Sequence, residues 1–277
     1  MAMVTDIERN IGRRDMGNIK VKMTIERYNI GKISISKTSL NKTINAIHEA
    51  TRRNEPGYIC VTNSRTTYLA NHDSEYCHIQ NNSFLTVPDG IPLVWIAHNF
   101  GHKEVERVSG PDLLKASLKI SVKNGYSHYF YGSTPVTIRK ISDNLKSKYP
   151  DLVIKGAISP PFQPIEAFDI EGLAKELNAL KPTFFWCGLG APKQERLIAL
   201  LQPKLEHTIC IGVGLAFEYL AGTIKRAPHW MQISGLEWFY RLSQQPQNIR
   251  RAIRPFSWVI KNLIQSYKVR WLNNQTQ

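Results

Sequence analysis

Three short stretches of this chain hold residue types at spacings that could do chemistry. Residues 188–196, G-L-G-A-P-K-Q-E-R, follow the apolar run 183–187. A strand feeding a helix through a glycine turn makes an anion site. Gly190 lets backbone approach a ligand closely, Pro192 is preset for the first helical position, and the free N–H groups of that first turn attract phosphate. Lys193 adds a positive charge, or is simply solvated. Residues 209–218, I-C-I-G-V-G-L-A-F-E, repeat the arrangement: Gly212 and Gly214 lead into Phe217 and the carboxylate of Glu218. Two strand ends of this kind point to one crevice for a nucleotide. In the third stretch, V-P-D-G, Asp89 stands where an apolar run ends and a helical pattern starts. It fits a helix cap worth about 1 kcal/mol, or a general base that takes a proton from an attacking hydroxyl. The two roles combine poorly, because a carboxylate saturated by backbone N–H groups is a weak base.

The elements that must position these residues are legible as an alternation. Apolar strand-like segments are expected at 58–61, 84–87, 129–131, 153–154, 184–187 and 209–213, and helical patterns at 39–52, 91–99, 111–123, 135–149, 165–180 and 192–201. This order predicts an α/β fold, a mostly parallel sheet with helices on both faces and ligands beyond the carboxyl ends of the strands. A chain of 277 residues with 42% hydrophobic content suits one such core, assigned to 31–222, with an appendage at 223–277. Residues 1–30 are polar and weakly periodic and are expected to be an extension. The stretch S-P-P-F-Q-P (159–164) is a rigid loop.

The formal charge of +14 calls for an acidic partner. The excess belongs to the tail: from 223 to 277 there are nine basic residues against the single acid Glu237. Ile249, Ile253, Phe256, Ile260, Leu263 and Tyr267 stack on one helical face, with Arg254, Lys261 and Lys268 roughly opposite. Two readings fit, a final helix packed on the core with a solvated basic face, and a helix lying on an anionic membrane surface. Pro255 either starts this helix or kinks it. Such a tail is also compatible with a homo-oligomer. Nucleic acid is not expected as a partner, since no zinc spacing, RNP-like strand or helix-turn-helix pattern occurs. Cys60, Cys77, Cys187 and Cys210 lack C-x-x-C spacing and read as buried thiols. No Asp-x-Asp pair occurs, and the nearest approach, Asp169-Ile170-Glu171, lies in a helical pattern; no metal site and no cofactor are expected. The N-terminus lacks the apolar centre of a secretory signal, and no run is long enough to span a bilayer, so a cytoplasmic location is expected.

Seven strings, in order, together resemble the WecG/TagA/CpsF glycosyltransferase family of bacterial surface-polysaccharide synthesis: Y-I-C-V-T-N-S (58–64), V-P-D-G-I-P-L-V-W (87–95), E-R-V-S-G-P-D-L-L (106–114), S-P-P-F (159–162), G-L-G-A-P-K-Q-E (188–195), I-G-V-G-L-A-F-E-Y-L-A-G (211–222) and K-R-A-P-H-W-M-Q-I-S-G-L-E-W-F-Y-R-L (225–242). The resemblance implies a Rossmann-like core with a membrane-associating C-terminal appendage, peripheral at the inner face of the cell membrane. It implies a transfer, with inversion, of a hexose-type sugar from a UDP-sugar to an undecaprenyl-diphosphate-linked saccharide. The sugar would be N-acetylmannosamine, its uronic acid, or glucose. By position, Asp89 matches the proposed base, followed by Gly90, and Asn63 and Gln194 match polar residues of the pocket, with Glu195 beside them. Glu218 stands where relatives commonly have Asp, and Val61 where they can have Thr, with Thr62 adjacent. Arg241 and Arg251 match appendage arginines thought to reach the diphosphate. Helix N-termini, Lys193 and these arginines would substitute for a metal ion.

Overall fold

A computed structural model of the chain describes residues 25–244 and 249–275. A hairpin opens it, β1 (Arg27–Ile30) against β2 (Ile33–Ser36), turning at Gly31 with φ +63°. Then come α1 (Leu40–Arg52), β3 (Gly57–Thr62), α2 (Ser64–His72), α3 (Ser74–Asn81), β4 (Leu85–Pro88), α4 (Ile91–Asn99) and α5 (Gly110–Asn124). The chain continues through β5 (Ser127–Gly132), α6 (Pro135–Lys148), β6 (Val153–Ile158), α7 (Ile170–Leu180), β7 (Phe184–Gly188), α8 (Lys193–Leu201), β8 (Ile209–Gly212) and α9 (Ala216–Ala221). Three helices close it: α10 (His229–Ile233), α11 (Glu237–Gln244) and α12 (Ile249–Gln275).

The six strands β3 to β8 form one parallel sheet in the order β4-β3-β8-β7-β5-β6. Their central members are buried on both sides, which is why they read as near-continuous apolar runs. Ile59, Val61, Phe130, Trp186 and Ile211 meet α1, α5, α6 and α9 on one face. Tyr58, Cys60, Tyr129, Phe185, Cys187 and Cys210 meet α3, α7 and α8 on the other. All four cysteines are buried and unpaired. The chain leaves β5 and β8 for the first face and β7, which lies between them, for the second. Loops at neighbouring carboxyl ends therefore diverge and open a crevice.

Two differences from the expected elements have local causes. The pattern at 165–180 is split: Ile165–Ala167 is a single 3₁₀ turn, and α7 starts afresh because the Asp169 carboxylate caps it, accepting from Gly172 N–H at 2.8 Å. The extension ends in order, since Tyr28 and Ile30 of β1 are buried against α4 and α12; residues 1–24 lie outside those described. Of the two places open to Pro255, the structure has the interior one: it lies inside α12 and is buried.

The apolar stripe of α12 also faces differently from a core-packed helix. Pro255, Val259 and Ser266 are buried toward α2 and α4, with Asn99 Nδ2 donating to Ser266 Oγ at 3.0 Å. Ile253, Phe256, Ile260, Tyr267 and Trp271 are exposed. Next to them Trp238, whose ring centroid is 5.1 Å from that of Phe256, and Phe239 are exposed on α11. The side chain of Ile249 is not among those described. Among the described residues no helix is long and apolar enough to cross a membrane.

Close strand approach fixes one glycine. A Cβ on Gly132, at φ +130°, would lie 2.6 Å from the Gly188 carbonyl carbon on the adjacent strand. Gly132→Ala is expected to cost at least about 2 kcal/mol, read as a lowered urea midpoint at unchanged slope; an unshifted midpoint would contradict this packing. A second expectation concerns acid stability. His128 is fully buried between aromatic rings, its Nδ1 accepting from Trp186 Nε1 at 2.9 Å, and burial pushes its pKa down to about 3. The unfolded chain therefore binds the proton first, and stability falls as pH drops from about 6.5 toward that value, by up to about 1.4 kcal/mol per unit. His128→Gln, which cannot titrate, should flatten that part of the stability curve.

Candidate active site

Asp89 sits one residue beyond β4, its N–H donating to Thr62 O at 2.7 Å. The cap of α4 is Gly90, without any side-chain hydrogen bond, so the Asp89 carboxylate is not spent on the helix. Its polar neighbour is Arg107. Nε of Arg107 donates to the Asp89 carbonyl at 2.5 Å, and Nη2 reaches Oδ1 at 3.4 Å and Glu237 Oε2 at 2.5 Å. Glu237 in turn lies 3.7 Å from Arg226 Nε, and Arg226 forks onto both oxygens of Asp112 at 2.6 and 2.8 Å. Charges thus alternate from the end of β4 to the start of α5, with α11 contributing one of them. Arg241 joins the group: its Nε donates to Tyr219 Oη at 3.2 Å, and it is near enough to act on Asp89.

Burial pushes the Asp89 carboxyl above its ordinary range. Arg107 and then Arg241 pull it down, and Glu237 pushes it up; the net shift is upward. The side chain keeps 16% exposure. A desolvated carboxylate that has no backbone N–H donors and retains an opening is suited to accept a proton.

The second half of the crevice is built by the glycine turns. Gly190 (φ +79°) and Gly214 (φ +50°) adopt left-handed backbone, which favours glycine. Their N–H groups both donate to Gln194 Oε1, at 3.2 and 2.9 Å, and so are not free for an anion. Pro192 is the residue before α8 rather than its first. Lys193 is tethered, with Nζ donating to Gln163 O at 2.7 Å and lying 4.5 Å from the centre of the exposed Phe162 ring in the 159–164 loop. That loop is anchored from its other end by Ser159 Oγ donating to Ser133 O. Glu218 accepts from Ser133 Oγ at 2.7 Å, joining α9 to the end of β5.

Several residues expected at the substrate support the site from beneath it. Thr62 is fully buried, its hydroxyl donating to Gln80 Oε1 at 2.6 Å; Phe217 is core, its ring against Gly188; Glu195 is fully buried. A Cβ on Gly212 would lie 2.9 Å from Gln194 Nε2, so that glycine makes room for the amide. Asn63 uses its Oδ1 to cap α2, accepting from Arg65 N and Thr66 N. The side chain of Arg251 lies outside those described. Sequence reasoning gave no role to Arg107, Glu237 or Ser133, and the first two are 130 residues apart. Among the described residues no three His, Cys, Asp or Glu side chains gather as metal ligands. A cavity of about 360 Å³ lined by Arg27, Tyr58 and Phe84 opens at the opposite, amino end of β3 and β4; there Arg27 is taken up by the carbonyls of Asn81 and Ser83.

A parallel α/β sheet that carries two glycine turns and an aspartate among arginines at its carboxyl edge, where such sheets take their ligands, is a Rossmann-like enzyme architecture. The profile of the Glycosyl transferase WecG/TagA/CpsF family matches residues 28–271, and the chain belongs to that family. It is a hexosyltransferase. Among its relatives, the N-acetylglucosaminyldiphosphoundecaprenol N-acetyl-beta-D-mannosaminyltransferase of Bacillus subtilis (strain 168) is 29% identical over 70% of this chain and 74% of its own length. The protein of the same description from Staphylococcus aureus (strain MW2) is 27% identical over the same shares.

Proposed function

We propose that this protein transfers an N-acetylmannosamine-type hexose from a UDP-sugar to an undecaprenyl-diphosphate-linked saccharide, with inversion and without a metal ion. The observation that carries the reading is Asp89, a carboxylate freed from capping, raised by burial and still partly exposed at the carboxyl end of β4. Asp89 takes the proton of the acceptor hydroxyl as that oxygen forms its bond to the anomeric carbon. The bond from that carbon to the diphosphate oxygen breaks, and UDP leaves with the electron pair. One displacement gives inversion. Cationic side chains, Arg241 first and Arg251 from α12, take up the charge that grows on the leaving diphosphate.

The acceptor and the sugar transferred are drawn from the relatives named above and the UDP carrier from the family resemblance, and N-acetylglucosaminyl-diphospho-undecaprenol is the acceptor to test first. The appendage brings the enzyme to that lipid: the exposed row Ile253, Phe256, Ile260, Tyr267 and Trp271, beside the basic row Arg254, Lys261 and Lys268, suits the inner, anionic surface of a cell membrane. Residues 223–277 thus act as a membrane-docking unit on the sheet domain. Incubating the enzyme with UDP-N-acetylmannosamine and a shortened lipid-diphosphate acceptor in EDTA, and reading the product linkage by NMR, tests the whole reading. A β-linked disaccharide is expected. An α-linked product, or turnover that returns only with Mg²⁺, would contradict it.

A further inference from the structure

Behind the glycine turns lies a buried polar pair that the reaction above does not use. Gln194 is 4% exposed and Glu195 fully buried. The Gln194 amide oxygen accepts both turn N–H groups, from Gly190 and Gly214, while its Nε2 donates to Glu195 Oε1 at 2.7 Å. Glu195 Oε2 has no hydrogen-bond partner of ordinary geometry; its polar neighbour is the Tyr76 hydroxyl, which accepts from Gln80 Nε2 at 2.9 Å and helps to hold the Glu195 carboxyl down against the upward push of burial. A buried carboxyl oxygen without a full set of partners is costly, so its presence asks for a reason.

The reason lies in the symmetry of an amide. A glutamine side chain fits its cavity almost equally well either way round, and only its partners choose. Turned over, Gln194 would set its NH₂ against two N–H groups, and the turns after β7 and β8 would lose their common acceptor. Glu195 demands a donor at the far end, so all three hydrogen bonds agree on one orientation.

We infer that Glu195 is a positioning residue for the donor diphosphate: through Gln194 it fixes the spacing of the two glycine turns that floor the donor side of the crevice. This rests on the proposed UDP-sugar donor. The polarity of the pair can be exchanged. Gln194→Glu alone sets two buried carboxyls end to end, and Glu195→Gln alone removes the oxygen-only partner. The double variant Gln194→Glu/Glu195→Gln restores every bond with donor and acceptor swapped at the shared contact, because the new carboxylate still accepts from both turns and from the new amide.

The experiment is UDP binding by calorimetry, with donor KM, acceptor KM, kcat and melting temperature, for wild type, both single variants and the exchange. Gln194→Glu is expected to weaken UDP binding and raise donor KM by at least about tenfold, with acceptor KM unmoved. The exchange is expected to recover to within about threefold of wild type. A folded exchange variant that binds UDP as weakly as the single variants overturns the inference, as do single variants that bind like wild type. Should Gln194→Glu fail to fold, Glu195→Gln and the exchange carry the same comparison. A wild-type protein that binds no UDP overturns the donor reading itself, and the positioning role with it.

Discussion

Asp89→Asn is expected to lower kcat by about a thousandfold while leaving UDP affinity near that of wild type. The substitution is isosteric, and the contacts that hold this position are made by backbone: Asp89 N–H to Thr62 O, and Arg107 Nε to the Asp89 carbonyl. The amide can keep an oxygen toward Arg107 Nη2, so the arginine and Glu237 stay in place. What is lost is the capacity to accept a proton. A general base absent in this way costs the transfer step and, on the proposed reading, not the binding of the donor. Single-turnover rates and UDP titrations on the same preparation check it; equal losses in both would mean that Asp89 serves binding or folding instead.

Arg107→Met is expected to do two things at once. Arg107 lies between two acids, Asp89 and Glu237, whose side chains are only 16% and 11% exposed. Removing the cation leaves both with a like-charged neighbour and little water, which should destabilise the fold by on the order of 3 kcal/mol at neutral pH. The sign of the pH effect follows from proton binding. Without Arg107 the Asp89 pKa rises beyond its already raised position, because the guanidinium is the largest influence pulling it down. The folded form then holds protons that the unfolded chain releases, so the lost stability returns in part as pH falls. The acid limb of kcat/KM, set by ionisation of the base, moves to higher pH for the same reason. Glu237→Gln should move that limb the other way, since it removes a charge that pushes Asp89 up. A pH–rate profile of each variant checks the pair, and identical limbs would remove Asp89 from the rate equation.

The six-stranded sheet could be read from the sequence because parallel strands buried on both faces must be apolar throughout, as at 184–187 and 209–212. The β1–β2 hairpin was missed although its buried apolar residues, Tyr28 and Ile30, then Ile33 and Ile35, recur at every second position; four-residue strands give too short a period to stand out. Helices α2 and α3 were missed because they are short and polar, and their caps, Asn63 and Asp73, were the available signal. At the site, the position of Asp89 was legible from V-P-D-G, and the glycine turns from their strands. The choice between cap and base was not, because it depends on where the carboxylate points. Nor was the Arg107–Glu237 pair, since spacing along the chain says nothing about two charges brought together by folding. The tail's charge misled in part. Arg226 and Arg241 turn inward to Asp112 and Tyr219, while of the apolar stripe of α12, expected to be either core or membrane face, Ile253, Phe256, Ile260 and Tyr267 are exposed and Leu263 packs against the core.

Catalysis by Asp89 is tested most directly by UDP release from the wild-type enzyme in EDTA, with UDP-N-acetylmannosamine, in the presence and absence of a lipid-diphosphate N-acetylglucosamine acceptor. Release that requires the acceptor, and that disappears in Asp89→Asn, is the expected result. Release at the same rate without acceptor, or undiminished in Asp89→Asn, would contradict it.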